Sequence, residues 1–239
     1  MNEQLKDTIK RNAEGILSRI AAACARSGRS ASDITLVAAC KKQPLEKIEA
    51  YLEICRELSI KPVLAQNYVQ EQREIAQSIS ASYESHLIGA LQKNKAKDAV
   101  RLFDVIEAVH SEELALELNR HAKAQNKTQR IFLQINISSD EKKSGFDKNE
   151  AMHFVAEGLQ QLDALSLEGL MTITRLYDQP SEARPDFAAL REFATRLIPV
   201  VPNRPSLALS MGMSDDFEYA IEEGATHIRI GTALFGARQ

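Results

Sequence analysis

A regular exchange of short apolar segments and helical patterns runs through the chain and constrains its fold more than any other feature. The segment Thr-Leu-Val-Ala-Ala-Cys, which begins at Thr35, is typical of a strand that is covered on both faces. Strict alternation of strand and helix implies a parallel sheet, and eight such units favour a closed barrel over an open sheet. The eight predicted strands are 35–40, 62–65, 86–89, 105–109, 131–137, 167–173, 207–211 and 227–230.

An additional helix precedes the first strand. Its apolar positions recur at helical spacing, and Gly28 is placed to end it. These positions are Leu5, Ile9, Ile16, Ile20 and Cys24. The whole pattern predicts an α/β fold, a parallel (β/α)8 TIM-type barrel with an extra N-terminal helix, formed as a single domain over residues 1–239.

The composition excludes several other classes of protein. The chain has 239 residues, 44% of them hydrophobic, and a formal net charge of -3 without an aromatic-studded basic stripe, which argues against nucleic acid. The polar N-terminus and the absence of a run of about 18 apolar residues predict a cytoplasmic protein without membrane contact. The three cysteines form no CxxC motif, and no histidine has ligands at metal spacing. We therefore expect neither disulfides nor a metal site.

Lys41 is the first candidate site residue, because active sites of parallel barrels lie at the carboxyl ends of the strands. Alternation puts Val37, Ala39 and Lys41 on one face of the first strand, where small neighbours leave room beside the lysine. Taken alone, Lys41 is better explained as a solvated charge at a strand end, but other candidate residues accompany it.

The last strand adds a second cation. Ile228 and Ile230 share one face and Arg229 lies on the other, so Arg229 points into the barrel if the isoleucines meet the helices. An inward guanidinium needs a carboxylate, phosphate or ligand partner, and the plain alternative is a buried ion pair with an unidentified acid. Gly231 and Thr232 follow with a backbone amide and a hydroxyl that suit phosphate oxygens.

The seventh strand contributes Ser210 near its carboxyl end. Because barrels often bind phosphate between the loops after strands seven and eight, Ser210, Gly231 and Thr232 form the predicted phosphate site. Ser214 is predicted to cap the next helix, whose first turn carries Asp215 and Asp216. After the second strand, Asn67 either reaches across the barrel mouth or caps the helix behind it.

These segments resemble the pyridoxal phosphate homeostasis proteins, relatives of the N-terminal barrel of alanine racemase. The resemblance covers nearly the whole chain and is carried by residues 36–41, 67–71, 86–95, 134–137, 143–145, 168–171, 209–217 and 229–238. It implies pyridoxal 5'-phosphate (PLP) as cofactor, bound as an internal aldimine on Lys41. It also implies that Arg229 faces the pyridine nitrogen, that Ser210, Gly231 and Thr232 hold the phosphate, and that Asn67 lies near the ring.

The chain departs from the family pattern at two places. Ala65-Gln66 stands where the family usually has Gly-Glu, and Gln43 stands where it often has a second lysine. Both changes are expected to remove charge close to the cofactor.

The resemblance favours a non-catalytic protein that buffers or delivers PLP, with PLP-dependent apoenzymes as possible recipients. An arginine opposite the pyridine nitrogen weakens the ring as an electron sink, and this chain stops at Gln239 without the second domain of the racemases. A weak PLP-dependent amino-acid racemase and a cofactor-free Schiff-base aldolase remain alternatives. No long exposed apolar stripe is evident in the sequence, so a monomer is expected.

Overall fold

The computed structural model describes residues 3–138, 144–201 and 204–237, and the predicted alternation forms a closed parallel barrel. Neighbouring strands pair in parallel throughout, and β1 pairs with β8 to close the sheet. The predicted (β/α)8 barrel is therefore confirmed. The strands are β1 (Thr35–Ala39), β2 (Val63–Gln66), β3 (Glu84–Leu87), β4 (Val105–Val109), β5 (Gln129–Gln134), β6 (Leu165–Met171), β7 (Ala208–Ser210) and β8 (His227–Ile230).

Helices surround the barrel. The predicted N-terminal helix packs against the helices that follow β1, β7 and β8. It stops where Gly28 adopts a φ of 67°, with the Arg29 amide donating back to the Cys24 carbonyl at 2.9 Å. The helices are α1 (Glu3–Ser27), α2 (Leu45–Glu57), α3 (Val69–Ser78), α4 (Ala96–Leu102), α5 (Glu112–Ala124), α6 (Lys148–His153), α7 (Arg184–Leu197), α8 (Phe217–Glu222) and α9 (Thr232–Phe235). No helix within the described ranges is long and apolar enough to cross a membrane.

The strand bounds differ from the prediction most clearly at β3, which begins at Glu84 rather than His86. Glu84 and Ser85 were not expected in a strand because they are polar. Their side chains have partners, since Glu84 pairs with Arg130 and Ser85 donates to Asp104 at 2.7 Å. Buried polar groups are tolerated in strands when they are hydrogen-bonded, which apolarity alone does not reveal.

The barrel wall separates two apolar layers. Leu36, Ala38 and Ile228 belong to the large core between strands and helices, whereas Val37 and Val63 pack with each other inside the barrel. A bulge in β4 shifts its register against β5 between Ile106 and Val109. Because a bulge adds a residue to one strand, Glu107 and Ala108 both turn inward.

Two sequence expectations about local structure were wrong. Helix α8 begins at Phe217 rather than at Asp215, and Ser214 does not cap it. Residues 214–216 form a turn before the helix. Asp216 occupies the capping position, and its side chain accepts a hydrogen bond from the Met213 amide at 2.6 Å. Before α7, residues 180–183 form a short 3-10 helix that continues into it.

Candidate functional site

Lys41 lies just past β1, at the carboxyl end of the barrel. Cys40 packs into the outer core, and the Gln43 amide donates to the Cys40 carbonyl at 3.0 Å, so the chain turns sharply here. The Lys41 Nζ lies 5.3 Å from the centroid of the Tyr68 ring. Among the described residues no carboxylate lies at ion-pair distance from this Nζ. The Lys41 side-chain nitrogen therefore lies beside an aromatic ring and has no carboxylate partner among the described residues.

Arg229 points into the barrel, as its alternation with the two isoleucines predicts, and only 5% of it is exposed. Its Nη1 donates to Ser210 Oγ at 2.8 Å, and its Nη2 donates to the Thr172 carbonyl at 2.8 Å. Both acceptors are neutral groups. Within the described part of the chain, no carboxylate contacts this guanidinium directly.

The acid that compensates Arg229 is Glu107, which lies one hydroxyl group away. Ser210 Oγ donates to Glu107 Oε2 at 2.5 Å, and Glu107 Oε1 shares a hydrogen bond of 2.6 Å with His86 Nδ1. Ser210, Glu107 and His86 are all fully buried. The buried acid that the sequence left unidentified is therefore Glu107, carried inward by the bulge in β4.

From Glu107 a chain of charged groups continues down the barrel interior. His86 Nε2 lies 2.8 Å from Glu84 Oε1, and Glu84 accepts from Arg130 at 3.0 Å. Arg130 in turn donates to Glu168 at 2.8 Å. Groups of alternating sign thus connect Arg229 near the carboxyl end of the strands with the amino end of the barrel.

The protonation states in this chain follow from its hydrogen bonds. Burial alone lowers the pKa of His86, but its bonds to Glu107 and Glu84 raise it above the usual value of 6.5. Burial raises the pKa of Glu107, but the bond with His86 and the charges of His86 and Arg229 lower it to about 2. At neutral pH, Glu107 is therefore ionised, and His86 is held toward its charged form between two carboxylates.

The loops after β7 and β8 meet beside β1. Ser214 Oγ accepts the Ala233 amide at 3.3 Å, which joins the two loops. A Cβ on Gly231 would lie 3.2 Å from the Ala39 carbonyl oxygen, so a side chain larger than hydrogen is crowded here. Thr232 begins α9 and exposes its side chain. The predicted phosphate residues Gly231 and Thr232 therefore lie at an open rim next to the end of β1.

Asn67 follows β2 at the same end of the barrel and is partly exposed. It does not cap α3, which begins at Val69 after Tyr68. Its backbone is held by close packing, because a Cβ on Gly89 would lie only 2.3 Å from the Asn67 carbonyl oxygen. Gly89 thus lets the end of β3 approach the segment that carries Asn67.

The departure at Ala65-Gln66 has a different meaning from the one expected. Ala65 packs with the inner apolar residues, whereas Gln66 is fully buried beside the Cys40 thiol on the outer side of the sheet. Neither atom of the Gln66 amide has a partner among the described residues. The expectation that this change removes charge next to the cofactor was therefore wrong, because strand alternation turns Gln66 away from the barrel mouth.

All six predicted site residues lie at or beside the carboxyl ends of strands: Lys41, Asn67, Ser210, Arg229, Gly231 and Thr232. Sequence reasoning missed Glu107 and gave His86 no role, whereas both are fully buried and share a hydrogen bond. A single glutamate inside the otherwise apolar strand Val105–Val109 was the available signal. Lys143 and Arg238, which belong to the resembling segments, lie outside the described residues.

Comparison with known proteins gives a consistent set of relatives. A model of the family described as "Alanine racemase, N-terminal domain" matches residues 45–239. A pyridoxal phosphate homeostasis protein of Haemophilus influenzae is 34% identical, and the match covers 96% of each chain. A crystal structure of a Bifidobacterium adolescentis protein of unknown function has a TM-score of 0.87 and 32% identity, covering 98% of this chain and 97% of that one.

A third relative was solved with a ligand. PipY of Synechococcus elongatus, in the structure with PLP bound, is 34% identical and has a TM-score of 0.75. The match covers 92% of this chain and 100% of PipY. On the family match and these identities, the chain belongs to the alanine racemase N-terminal domain family and, within it, to the pyridoxal phosphate homeostasis proteins.

Proposed function

We propose that this chain binds PLP as a Schiff base on Lys41 and buffers or delivers it in PLP homeostasis. The names of its relatives and the PLP-bound structure of PipY support this proposal. The observation that carries it in this chain is the Lys41 side-chain nitrogen at the barrel mouth, with no carboxylate at ion-pair distance among the described residues. A free amine is what an aldehyde needs in order to bind covalently.

The other residues at the mouth fit a phosphorylated aromatic aldehyde. Gly231 has no side chain, so phosphate oxygens can approach its backbone beside β1 closely. Thr232 adds an exposed hydroxyl. Asn67 supplies an amide next to Tyr68, a residue that is 51% exposed. The phosphate and the ring can thus both contact groups of this chain at the same end of the barrel.

Ser210 is the least accessible of the proposed phosphate residues. Its hydroxyl donates to Glu107 and accepts from Arg229 inside the barrel. A hydroxyl has one proton, so Ser210 donates to a phosphate only if it releases Glu107. Its contact with the phosphate stays a prediction.

Arg229 favours a carrier over an enzyme in this proposal. A guanidinium only donates hydrogen bonds and is not deprotonated in proteins, so an arginine that faces the pyridine nitrogen keeps that nitrogen unprotonated. An unprotonated ring supplies a weaker electron sink for chemistry at the amino-acid α-carbon. The open mouth is compatible with transfer of PLP to apoenzymes, which we propose as recipients.

The test compares Lys41→Ala with the matched control Lys42→Ala. Lys42 is the next residue, is exposed and has a φ of 55°, so the control removes a lysine from the same turn. We expect the wild type and Lys42→Ala to gain visible absorption on addition of PLP, and Lys41→Ala to gain none. A wild type that stays colourless contradicts PLP binding and leaves the aldolase.

A second measurement separates carrier from racemase. The PLP-loaded protein is incubated with single amino acids in deuterated water, and exchange of the α-proton is followed by NMR. We expect no exchange above the rate with free PLP. Rapid exchange with turnover contradicts the carrier proposal and supports a racemase.

A further inference from the structure

Glu107 is a carboxylate in a place where an apolar residue is the simpler choice. It is fully buried within β4, and the neighbouring residues inside the barrel include Val105, Ala108 and Phe132. Replacing a buried ionic group by apolar residues is often neutral or stabilising. Stability of the fold therefore does not explain why a charge lies here.

The contacts of Glu107 lead to the cofactor site. One carboxylate oxygen accepts from Ser210 Oγ and the other bonds with His86 Nδ1, so both oxygens are held. With its proton directed at Glu107, Ser210 Oγ turns a lone pair toward Arg229 and accepts from Nη1 at 2.8 Å. The position of the guanidinium thus depends on which way the Ser210 proton points.

This arrangement also leaves Arg229 able to bind something else. A carboxylate in direct contact would occupy two donors of the guanidinium in a forked pair. Glu107 instead acts through a hydroxyl, and the two described hydrogen bonds of the Arg229 side chain go to Ser210 and the Thr172 carbonyl. A guanidinium has five N–H donors, so donors remain for a ligand at the barrel mouth.

We propose that Glu107 is a positioning residue for the cofactor ring: it fixes the Ser210 hydroxyl as an acceptor and thereby holds Arg229 toward the pyridine nitrogen of PLP. This inference rests on the proposed function. His86 supports it from the other side, because its bonds to Glu107 and Glu84 hold the Glu107 carboxylate in place. A glutamine at position 107 has the same shape but presents only one acceptor oxygen, so it cannot satisfy both donors as the carboxylate does.

The experiment measures dissociation constants of PLP and of its carbocyclic analogue, in which C–H replaces the ring nitrogen. We compare the wild type, Glu107→Gln and the control Glu168→Gln, a carboxylate that pairs with Arg130 and Arg204 at the other end of the barrel. Loss of a charge-assisted hydrogen bond predicts that Glu107→Gln binds PLP about tenfold more weakly. The analogue, which cannot accept from Arg229, is expected to bind the wild type and Glu107→Gln equally. The control should match the wild type with both ligands.

Each other outcome has a definite meaning. Equal PLP affinity of Glu107→Gln and wild type overturns the positioning role while PLP binding stands. An equal loss for PLP and the analogue also overturns it, because the variant then acts through the fold. A wild type that binds no PLP refutes the proposed function, and this inference with it.

Ser210→Ala provides a second variant that keeps the inference testable if Glu107→Gln fails to fold. It removes the hydroxyl that links Glu107 to Arg229. A loss confined to PLP supports the link, whereas an equal loss for PLP and the analogue indicates that Ser210 holds the phosphate and overturns the link. The thermal unfolding of each apoprotein, followed by circular dichroism, shows which variants are folded.

Discussion

The two ends of the barrel carry similar side chains in opposite arrangements. At the amino end, Arg130 pairs with Glu84 and Glu168, and Lys61 also pairs with Glu84. At the carboxyl end, Lys41 and Arg229 have no carboxylate in direct contact among the described residues. Cations that already have anionic partners stabilise the fold, whereas cations without them are available to a ligand. This difference supports our proposal that the ligand binds at the carboxyl end.

A cavity at the amino end of the barrel has cations whose partners are already present. A cavity of about 480 Å³ lies at the amino end and is lined by Lys61, Lys127 and Arg130. Lys127 Nζ donates to two backbone carbonyls at 2.6 Å, and the other two cations are ion-paired. The cations that line this cavity therefore already have partners within the protein.

The largest effect on stability is expected when an arginine is replaced, and it should differ between the two ends of the barrel. Arg229→Met removes a buried charge that compensates Glu107, and breaking a buried ionic group costs about 3 kcal/mol of unfolding free energy. Arg130→Met removes a partly exposed partner of Glu84, whose loss costs about 1 kcal/mol or less. Urea denaturation of both variants at neutral pH measures the two values. A larger loss for Arg130→Met would contradict the comparison.

The next largest effect on stability is expected for a substitution of Gly89, at the carboxyl end of the barrel. In Gly89→Ala, the new Cβ would lie 2.3 Å from the Asn67 carbonyl oxygen, so the backbone at the mouth must move. Overpacking of this kind costs about 2 kcal/mol, and we expect PLP binding to weaken as well because Asn67 shifts. The control is Gly15→Ala in α1, where no atom lies within 4 Å of the new Cβ.

The control should move stability in the other direction. Gly15 is exposed within a helix, where alanine is more favourable than glycine by about 1 kcal/mol. Thermal unfolding of both variants and PLP titration of each check the pair. Unchanged PLP affinity in Gly89→Ala would show that the Asn67 segment does not hold the cofactor.

The sequence was sufficient for the barrel and for the placement of Lys41 and Arg229 toward the carboxyl ends of their strands. Apolar segments alternating with helical patterns identified β1 and β8, and the inward side of Arg229 followed from the isoleucines on either side of it. These features depend on local periodicity, which one chain displays directly.

Contacts made through the barrel interior could not be predicted in the same way. Glu107 meets Ser210 across the barrel, 103 positions away in the chain, and a bulge in β4 turns it inward. Gln66 is a different case, because the alternation of β2, with Val63 and Ala65 on the inner face, already turns it outward. Long-range pairs and register shifts depend on how all eight strands close, so no local pattern contains them.

The smallest expected effect concerns His227, in the barrel interior between the two ends. Its contribution to stability changes with pH in a defined direction. Burial lowers the pKa of His227 from 6.5 to about 4, although Glu107 and Glu84 act against this shift and His86 and Lys61 act with it. Between these two values the unfolded chain binds a proton at this residue that the folded protein does not bind, so stability falls as the pH falls. From pH 6.5 to 5.5 the contribution of His227 is about 1 kcal/mol.

Urea denaturation across this interval, with His227→Gln as the variant, measures that contribution. His86 has a raised pKa, so its stabilisation is lost as the pH rises above 6.5, and its contribution is shared by the wild type and the variant. The difference in unfolding free energy between wild type and His227→Gln should change by about 1 kcal/mol over the interval. If this difference is constant, His227 is solvated like a surface histidine, and the interior is wetter than the paired charges between the two ends require.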